Sequence, residues 1–364
     1  MNHDRELHAL GQSLWLDNIS RRILDDGTLA RYVRDLSVTG LTSNPSIFEK
    51  AIAGSGLYDA AIRARGDDPV EAVFFDLALD DLRRAGDLFR PAYDRSGGAD
   101  GWVSLEVSPL LADDAQKTIA AAFDLHQRAR LDNLFVKIPG TTAGARAIEE
   151  TIFSGVPVNV TLLFSSEQYA QAAEAWMRGI ERRIAAGLAP AIDSVASLFV
   201  SRWDAAIQDS VPAALRNRVG IAIAQRTYRV HRELLDSPRM RALIAAGVRP
   251  QRLLWASTGT KDATARDTLY AEALIAPGTI NTMPDKTLQA FADHGRIGAP
   301  MPADGGDSES VLEQLADAGI NRARLAERLQ REGTQAFVKS WQQLLAGIHG
   351  KRRRRAIRSI AAAR

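Results

Sequence analysis

The sequence predicts an α/β protein: a closed (β/α)8 TIM barrel with extra helices inserted after its second strand and added at its C-terminus. Three observations carry this. Short apolar, β-branched runs alternate with longer stretches of helical periodicity, the pattern of βα units on a parallel sheet. Eight such runs occur, the number that closes a barrel of this kind. The 364 residues, 46% hydrophobic and 25% charged, match an ordinary folded chain and suffice for a barrel with additions.

The runs, in order, are Leu14–Asp17, Val38–Asn44, Trp102–Val107, Leu134–Ile138, Val158–Phe164, Ser197–Ser201, Leu253–Ser257 and Thr279–Met283. Between them lie helical stretches such as Ala112–Arg130, Ser166–Gly187 and Arg218–Ala246, with cap-like starts at Asp113 and Ser166. Two regions exceed a minimal barrel: a helical insertion over Pro45–Tyr93 and a helical C-terminal region over Ser308–Gly347. The Gly-, Pro- and Asp-rich segment Gly298–Asp307 reads as a loop. The domain reading is a barrel with helical additions over 1–349, followed by a basic tail over 350–364 that is expected to be disordered.

The net charge of +2 hides an asymmetry, because the last 15 residues carry seven Lys or Arg and no acid, leaving the rest at about −5. The basic isoelectric point belongs to the tail, and no nucleic-acid surface is implied on the body. No apolar run reaches the length of a membrane span, and the N-terminal decapeptide lacks a signal peptide's apolar core, so a cytoplasmic location is expected. Cysteine is absent, which excludes disulfides, thiolate metal sites and a Cys nucleophile. Only seven of the 46 basic residues are Lys, so a Lys inside an apolar strand, as at position 137, stands out.

Alternation along barrel strands points successive side chains inward and outward, and the outward set must be apolar. On this parity Ser104, Glu106, Lys137, Asn159 and Thr161 face inward, as do Asp17, Asn44, Ser197, Phe199 and Ser257 on their own strands. One amine, two carboxylates and several amides and hydroxyls therefore converge near the C-terminal strand ends, where the active sites of such barrels lie. An amine in a partly apolar interior is desolvated and exposes the neutral nucleophile that forms an imine with a carbonyl. The proton transfers of imine chemistry suit two carboxylates in different surroundings. Each residue also has a structural reading: Asp17 as a helix N-cap, Glu106 as an ion-pair partner of Lys137, and Asn44 as the start of a turn before Pro45.

No dinucleotide or phosphate-loop signature, no H-E-x-x-H and no His pair at metal-ligand spacing occurs, so neither cofactor nor metal is implied. The stretch Ala256-Ser-Thr-Gly-Thr-Lys261 follows the seventh strand, where barrel loops present backbone N–H groups and a cation to phosphate.

These residues resemble the transaldolases. The strings are Leu16-Asp17-Asn18, Thr42-Ser-Asn44-Pro-Ser-Ile, Ser104-Leu-Glu106-Val, Phe135-Val-Lys137-Ile-Pro, Val158-Asn159-Val-Thr161-Leu-Leu-Phe-Ser and Ser197-Leu-Phe199-Val-Ser-Arg202, in order along the body of the chain. The helical inserts and Trp255-Ala-Ser-Thr-Gly-Thr-Lys261 resemble the long bacterial branch. The resemblance implies reversible, cofactor-free transfer of a dihydroxyacetone unit from sedoheptulose 7-phosphate to glyceraldehyde 3-phosphate, giving erythrose 4-phosphate and fructose 6-phosphate in the pentose phosphate pathway. It implies Lys137 as the Schiff-base amine, Asp17 as acceptor of the C4 hydroxyl proton, and Glu106 as a proton shuttle through a water held by Thr161. Asn44, Asn159 and Ser197 would hold the dihydroxyacetone hydroxyls, Phe199 would line the substrate site, and Arg202 with Lys261 would bind phosphate. Where many relatives carry an Arg after the seventh strand, this chain offers Lys261, a cation without a bidentate fork. The expected partners are sugar phosphates, with neither nucleic acid nor membrane, in a monomer or homodimer.

Two rival readings remain. An aldolase of the same fold, such as fructose-6-phosphate aldolase, would release free dihydroxyacetone; those relatives are shorter and tend to carry Tyr where this chain has Phe199. A non-catalytic barrel binding polyanions through KRRRR would have no reason to bury an amine between two acids.

Overall fold

The computed structural model describes residues 3–362 as backbone and residues 6–353 with their side chains. Eight parallel strands, β1 (Ser13–Leu16), β2 (Gly40–Leu41), β3 (Val103–Glu106), β4 (Leu134–Pro139), β5 (Val158–Leu163), β6 (Ser194–Phe199), β7 (Arg252–Ala256) and β8 (Ile280–Met283), alternate with helices. They pair in the order β2-β1-β8-β7-β6-β5-β4-β3. The two ends of that sheet meet where the Leu41 N–H donates to the Trp102 carbonyl at 2.9 Å. This closes a (β/α)8 barrel.

The closure depends on one glycine. A Cβ on Gly40 would lie 2.6 Å from the Trp15 ring and 2.7 Å from the Trp102 carbonyl oxygen, so any side chain there would push β2 away from its neighbours. Below the future site the barrel is filled by aromatic rings: Trp102 stacks on Phe135 with centroids 4.0 Å apart, and Trp15 lies 6.3 Å from Phe135. The interior is a packed aromatic core at mid-height, with polar groups such as buried Ser13 and half-buried Arg252 at the N-terminal strand ends and a second polar set at the C-terminal ends.

Several expected boundaries shift. Asp17 stands one residue beyond β1 and Asn44 three beyond β2, and Ser201 opens helix Ser201–Ile207 instead of ending β6. The N-caps are Asp114 and Ser165, one residue from those expected, their side chains accepting from the Lys117 and Gln168 N–H groups. The stretch Arg218–Ala246 is two helices, Val219–Leu235 and Pro238–Ala245, because Ser237 caps a new start with Pro238 at its first position. Gly298–Asp307 is a loop, and the insertion after β2 comprises helices Pro45–Ala53, Asp59–Ala64 and Val70–Arg95.

The C-terminal addition holds helix Ser308–Asp317 and a long helix, Arg322–Ala362. Leu325, Leu329, Phe337, Trp341, Leu344 and Ile348 are buried at helical spacing along the latter. Trp341 meets Phe74 edge-on at 5.0 Å, and the Ser340 and Ser46 hydroxyls bond at 2.7 Å, so the helix lies across the barrel mouth against the insertion. The boundary expected after residue 349 falls within this helix: Lys351 bonds to Asp59 at 2.6 Å and to the Ser55 carbonyl at 2.8 Å. The basic run begins docked because its first Lys meets a carboxylate and a carbonyl on the insertion. The last two residues lie outside the described residues. No helix among them is long and apolar enough to cross a membrane.

Candidate active site

At the C-terminal ends of the strands lies a cavity of about 390 Å³ lined by Asp17, Asn44, Lys137, Thr161, Ser197, Phe199, Ser257, Arg202 and Lys261 among others. All but two of the sequence-predicted site residues line it. The two exceptions, Glu106 and Asn159, are buried directly beneath. Strand register explains this: Glu106 pairs with Lys137 and Lys137 with Asn159, whereas Thr161 stands two residues higher, opposite Pro139.

Lys137 is the centre of the arrangement. Its ammonium is buried, donates to the Ser43 carbonyl at 2.8 Å and lies 3.4 Å from the Glu106 carboxylate. Neither Glu106 oxygen nor the Thr161 hydroxyl has a hydrogen-bond partner among the described residues. Burial pushes the Glu106 carboxyl above its ordinary value, with Lys137 opposing the shift and Asp17 adding to it. A carboxyl whose proton is held more firmly than usual can pass it to and from a neighbouring oxygen or nitrogen.

Asp17 occupies the other wall. It caps no helix, since Ser20 caps the following one, and the structural reading of Asp17 falls with that. The Thr42 hydroxyl donates to its Oδ1 at 2.7 Å. That hydroxyl also meets Thr282 Oγ1 at 2.7 Å, and because Thr42 has a single hydroxyl proton, Thr282 must be the donor of the second bond. Burial raises the Asp17 pKa, while the Thr42 bond and then Lys137, Lys261 and Arg202 pull it down. Two carboxylates thus flank one amine in different settings, one reachable from the cavity and one sealed below it.

Asn44 serves two ends. Its Oδ1 caps helix Pro45–Ala53 by accepting the Ile47 N–H at 3.1 Å, and it still lines the cavity. Asn159 is fully buried: its Oδ1 accepts the Ser197 hydroxyl at 2.7 Å and its Nδ2 donates to Ser104 at 3.3 Å. It therefore orients Ser197, which does reach the cavity. Toward the mouth stand Lys50, Arg202 and Lys261, none of which has a carboxylate within 4.0 Å among the described residues. The Arg202 guanidinium sits over the Phe199 ring, 5.3 Å from its centroid, and burial pulls its pKa down. Three unneutralised cations at the mouth of a pocket containing one carboxylate favour an anionic ligand.

Thr42, Thr282, Lys50, Ile47 and Phe337 line the site without having been singled out from sequence. Thr42 shares parity with Asn44, and a hydroxyl within the apolar strand Ile280–Met283 is a comparable signal. Phe337 gives none, because it arrives from the C-terminal helix. Among the described residues no group of three or more His, Asp or Glu is arranged to hold a metal ion.

A family model described as transaldolase/fructose-6-phosphate aldolase matches residues 14–348, a span that takes in every residue of the site. The chain belongs to that family. Among similar proteins are a transaldolase of Parafrankia sp. (strain EAN1pec), 45% identical over 94% of this chain and 96% of that protein, and one of Frankia alni, 46% identical over 94% and 95%. A transaldolase of Neisseria gonorrhoeae is 41% identical over 94% of this chain and 98% of its own length. Within the matched span lie the interior Lys137, the carboxylates Asp17 and Glu106, and the cations Lys50, Arg202 and Lys261 at the mouth.

Proposed function

We propose that the protein is a transaldolase, moving a dihydroxyacetone unit reversibly from sedoheptulose 7-phosphate to glyceraldehyde 3-phosphate through a Schiff base on Lys137. One observation carries the reading: a buried Lys137 amine 3.4 Å from Glu106 in a cavity that also holds Asp17. The Lys137 amine adds to the ketose C2 carbonyl, forming the C–N bond. Protons passed by Glu106, through a water bridging to the Thr161 hydroxyl, take the oxygen out as water and leave an imine. Asp17 then accepts the C4 hydroxyl proton, the C3–C4 bond breaks, and its electron pair enters the imine to give an enamine. The aldose leaves, the acceptor aldehyde adds to the enamine carbon, Asp17 returns its proton, and water releases the product ketose from Lys137.

Asn44 and Ser197 bind the hydroxyls of the three-carbon unit, with Asn159 holding Ser197 from below, and Phe199 walls the site. Arg202 and Lys261 take the phosphate. Transfer is preferred over release of dihydroxyacetone because Phe199 stands beside the pocket and the similar proteins reported above carry the name transaldolase. The same reading makes this a cytoplasmic enzyme of the pentose phosphate pathway, a monomer or homodimer acting on sugar phosphates.

Borohydride reduction in the presence of fructose 6-phosphate tests this. The expected result is a three-carbon adduct on Lys137, seen by peptide mass spectrometry and lost in Lys137→Ala. An adduct on Lys261, or none, refutes the mechanism.

A further inference from the structure

Strand β5 does not run straight into the site. Its register with β6 advances from Val160–Ala196 to Leu163–Leu198, so β5 carries one residue more than its neighbour over this interval. The extra residue is at Thr161–Leu162, and Leu162 adopts the left-handed conformation, φ 60°, which a leucine avoids unless its surroundings impose it. The bulge lies against the one hydroxyl of the site that has no side-chain or backbone partner, Thr161 Oγ1. With no hydrogen bond to aim it, its direction follows the backbone it stands on and the packing around it.

What holds that backbone comes from the C-terminal helix. Gln330 Nε2 donates to the Leu162 carbonyl and to the Gly140 carbonyl, each at 3.0 Å. Both amide hydrogens are thereby used. Gly140 lies three residues after Lys137, and its own N–H donates to the Thr161 carbonyl at 2.8 Å. One side-chain amide thus joins the ends of the two strands that carry Lys137 and Thr161. A turn further along the same helix, a Cβ on Gly333 would stand 2.9 Å from Leu162 Cδ2, so the helix also presses on the bulge itself.

We infer that Gln330 is a positioning residue: its two hydrogen bonds fix the β5 bulge and so aim the Thr161 hydroxyl at the space between Glu106 and Lys137. It touches no substrate. Its effect falls on the proton transfers of imine formation and leaves the phosphate end, built on β6 and β7, alone. The inference rests on the Schiff-base reading given above.

Gln330→Met keeps the bulk of the side chain and removes both donors. A displacement of about an ångström costs on the order of 10²-fold in rate, so kcat is expected to fall by about 10- to 100-fold, with KM for fructose 6-phosphate unchanged within about 2-fold. The single-turnover rate of borohydride-trappable adduct on Lys137 should fall by the same factor. Thr161→Val should slow the same step, and the double variant should be no slower than about 3-fold below the worse single one, as expected for residues acting through one path. Trapping within about 3-fold of wild type in Gln330→Met, or effects that multiply, would overturn the proposal. If Gln330→Met fails to fold, Gly333→Ala keeps Gln330 and presses on Leu162 Cδ2 at 2.9 Å while meeting Arg202 Nη1 only at ordinary contact distance, 3.5 Å; it must slow trapping without raising KM, and a raised KM with normal trapping overturns the idea. A wild-type enzyme giving no adduct on Lys137 would instead refute the Schiff-base reading, and the non-multiplicative loss of kcat between positions 161 and 330 would still judge the positioning role.

Discussion

Replacing Thr42 by Val should move the acid limb of the pH–rate profile upward. The Thr42 hydroxyl donates its only proton to Asp17 Oδ1 at 2.7 Å, a bond that favours the charged carboxylate and holds its pKa down. A hydrogen bond to a charged group contributes about 1.5–3 kcal/mol, all of it in favour of the ionised form here, so its removal should raise the Asp17 pKa. The shift adds to that of burial, and the cations Lys137, Lys261 and Arg202 remain to oppose both. On the proposed mechanism Asp17 must be ionised to take the C4 hydroxyl proton, so kcat/KM should begin to fall at a higher pH as the solution is acidified. The assay is formation of glyceraldehyde 3-phosphate from fructose 6-phosphate and erythrose 4-phosphate across the pH range, with Thr42→Ser as the control that keeps the donor. An acid limb unmoved in Thr42→Val, or moved equally in Thr42→Ser, would show that this bond does not tune the reacting carboxylate.

Three further outcomes are expected. Arg202→Ala should lower kcat/KM for fructose 6-phosphate by roughly 2–4 kcal/mol of transition-state stabilisation and Lys261→Ala should mainly raise KM, each mattering much less for unphosphorylated fructose; equal damage to both sugars would mean the residues support the barrel instead of reading phosphate. Gly40→Ala should destabilise the fold by about 1–3 kcal/mol in denaturant titrations, since the added methyl collides with Trp15 and the β2–β3 closure; an unchanged midpoint would show that the closure is slack. Buried His231, bonded to the Tyr169 hydroxyl at 2.7 Å, has its pKa pushed down to about 3, so the fold keeps it neutral. Its stabilising contribution is complete above the unfolded-state pKa of about 6.5 and is lost as pH falls toward 3, on the order of 3 kcal/mol by about pH 4.5. His231→Gln should flatten the stability profile in that window, and an identical acid sensitivity in the variant would assign the effect elsewhere.

The sequence alone determined the strand count, the barrel and most of the site, because inward and outward parity is a property of each strand taken by itself. Lys137, Thr161 and Ser197 needed only an apolar strand with a polar residue on alternate positions to be found, and Asp17 and Asn44 followed although they lie one and three residues past the last paired residues, Leu16 and Leu41. Parity does not report depth, however. Glu106 and Asn159 share the inward face with Thr161, yet both stand at the level of Lys137, two residues below Thr161, and are buried beneath the cavity. Tertiary structure alone decided this, and it also decided which groups support the reacting ones. The Ser43 carbonyl on Lys137, the Thr282–Thr42–Asp17 chain, the Gln330 clasp and the Phe337 wall each join segments distant in the chain. The same holds for the C-terminal helix, whose basic end reads as a free tail from its charges but begins with Lys351 docked on Asp59. Local pattern fixes which way a side chain points, whereas its partner depends on how strands stagger and where a remote helix comes to rest, and these are set by packing across the whole barrel.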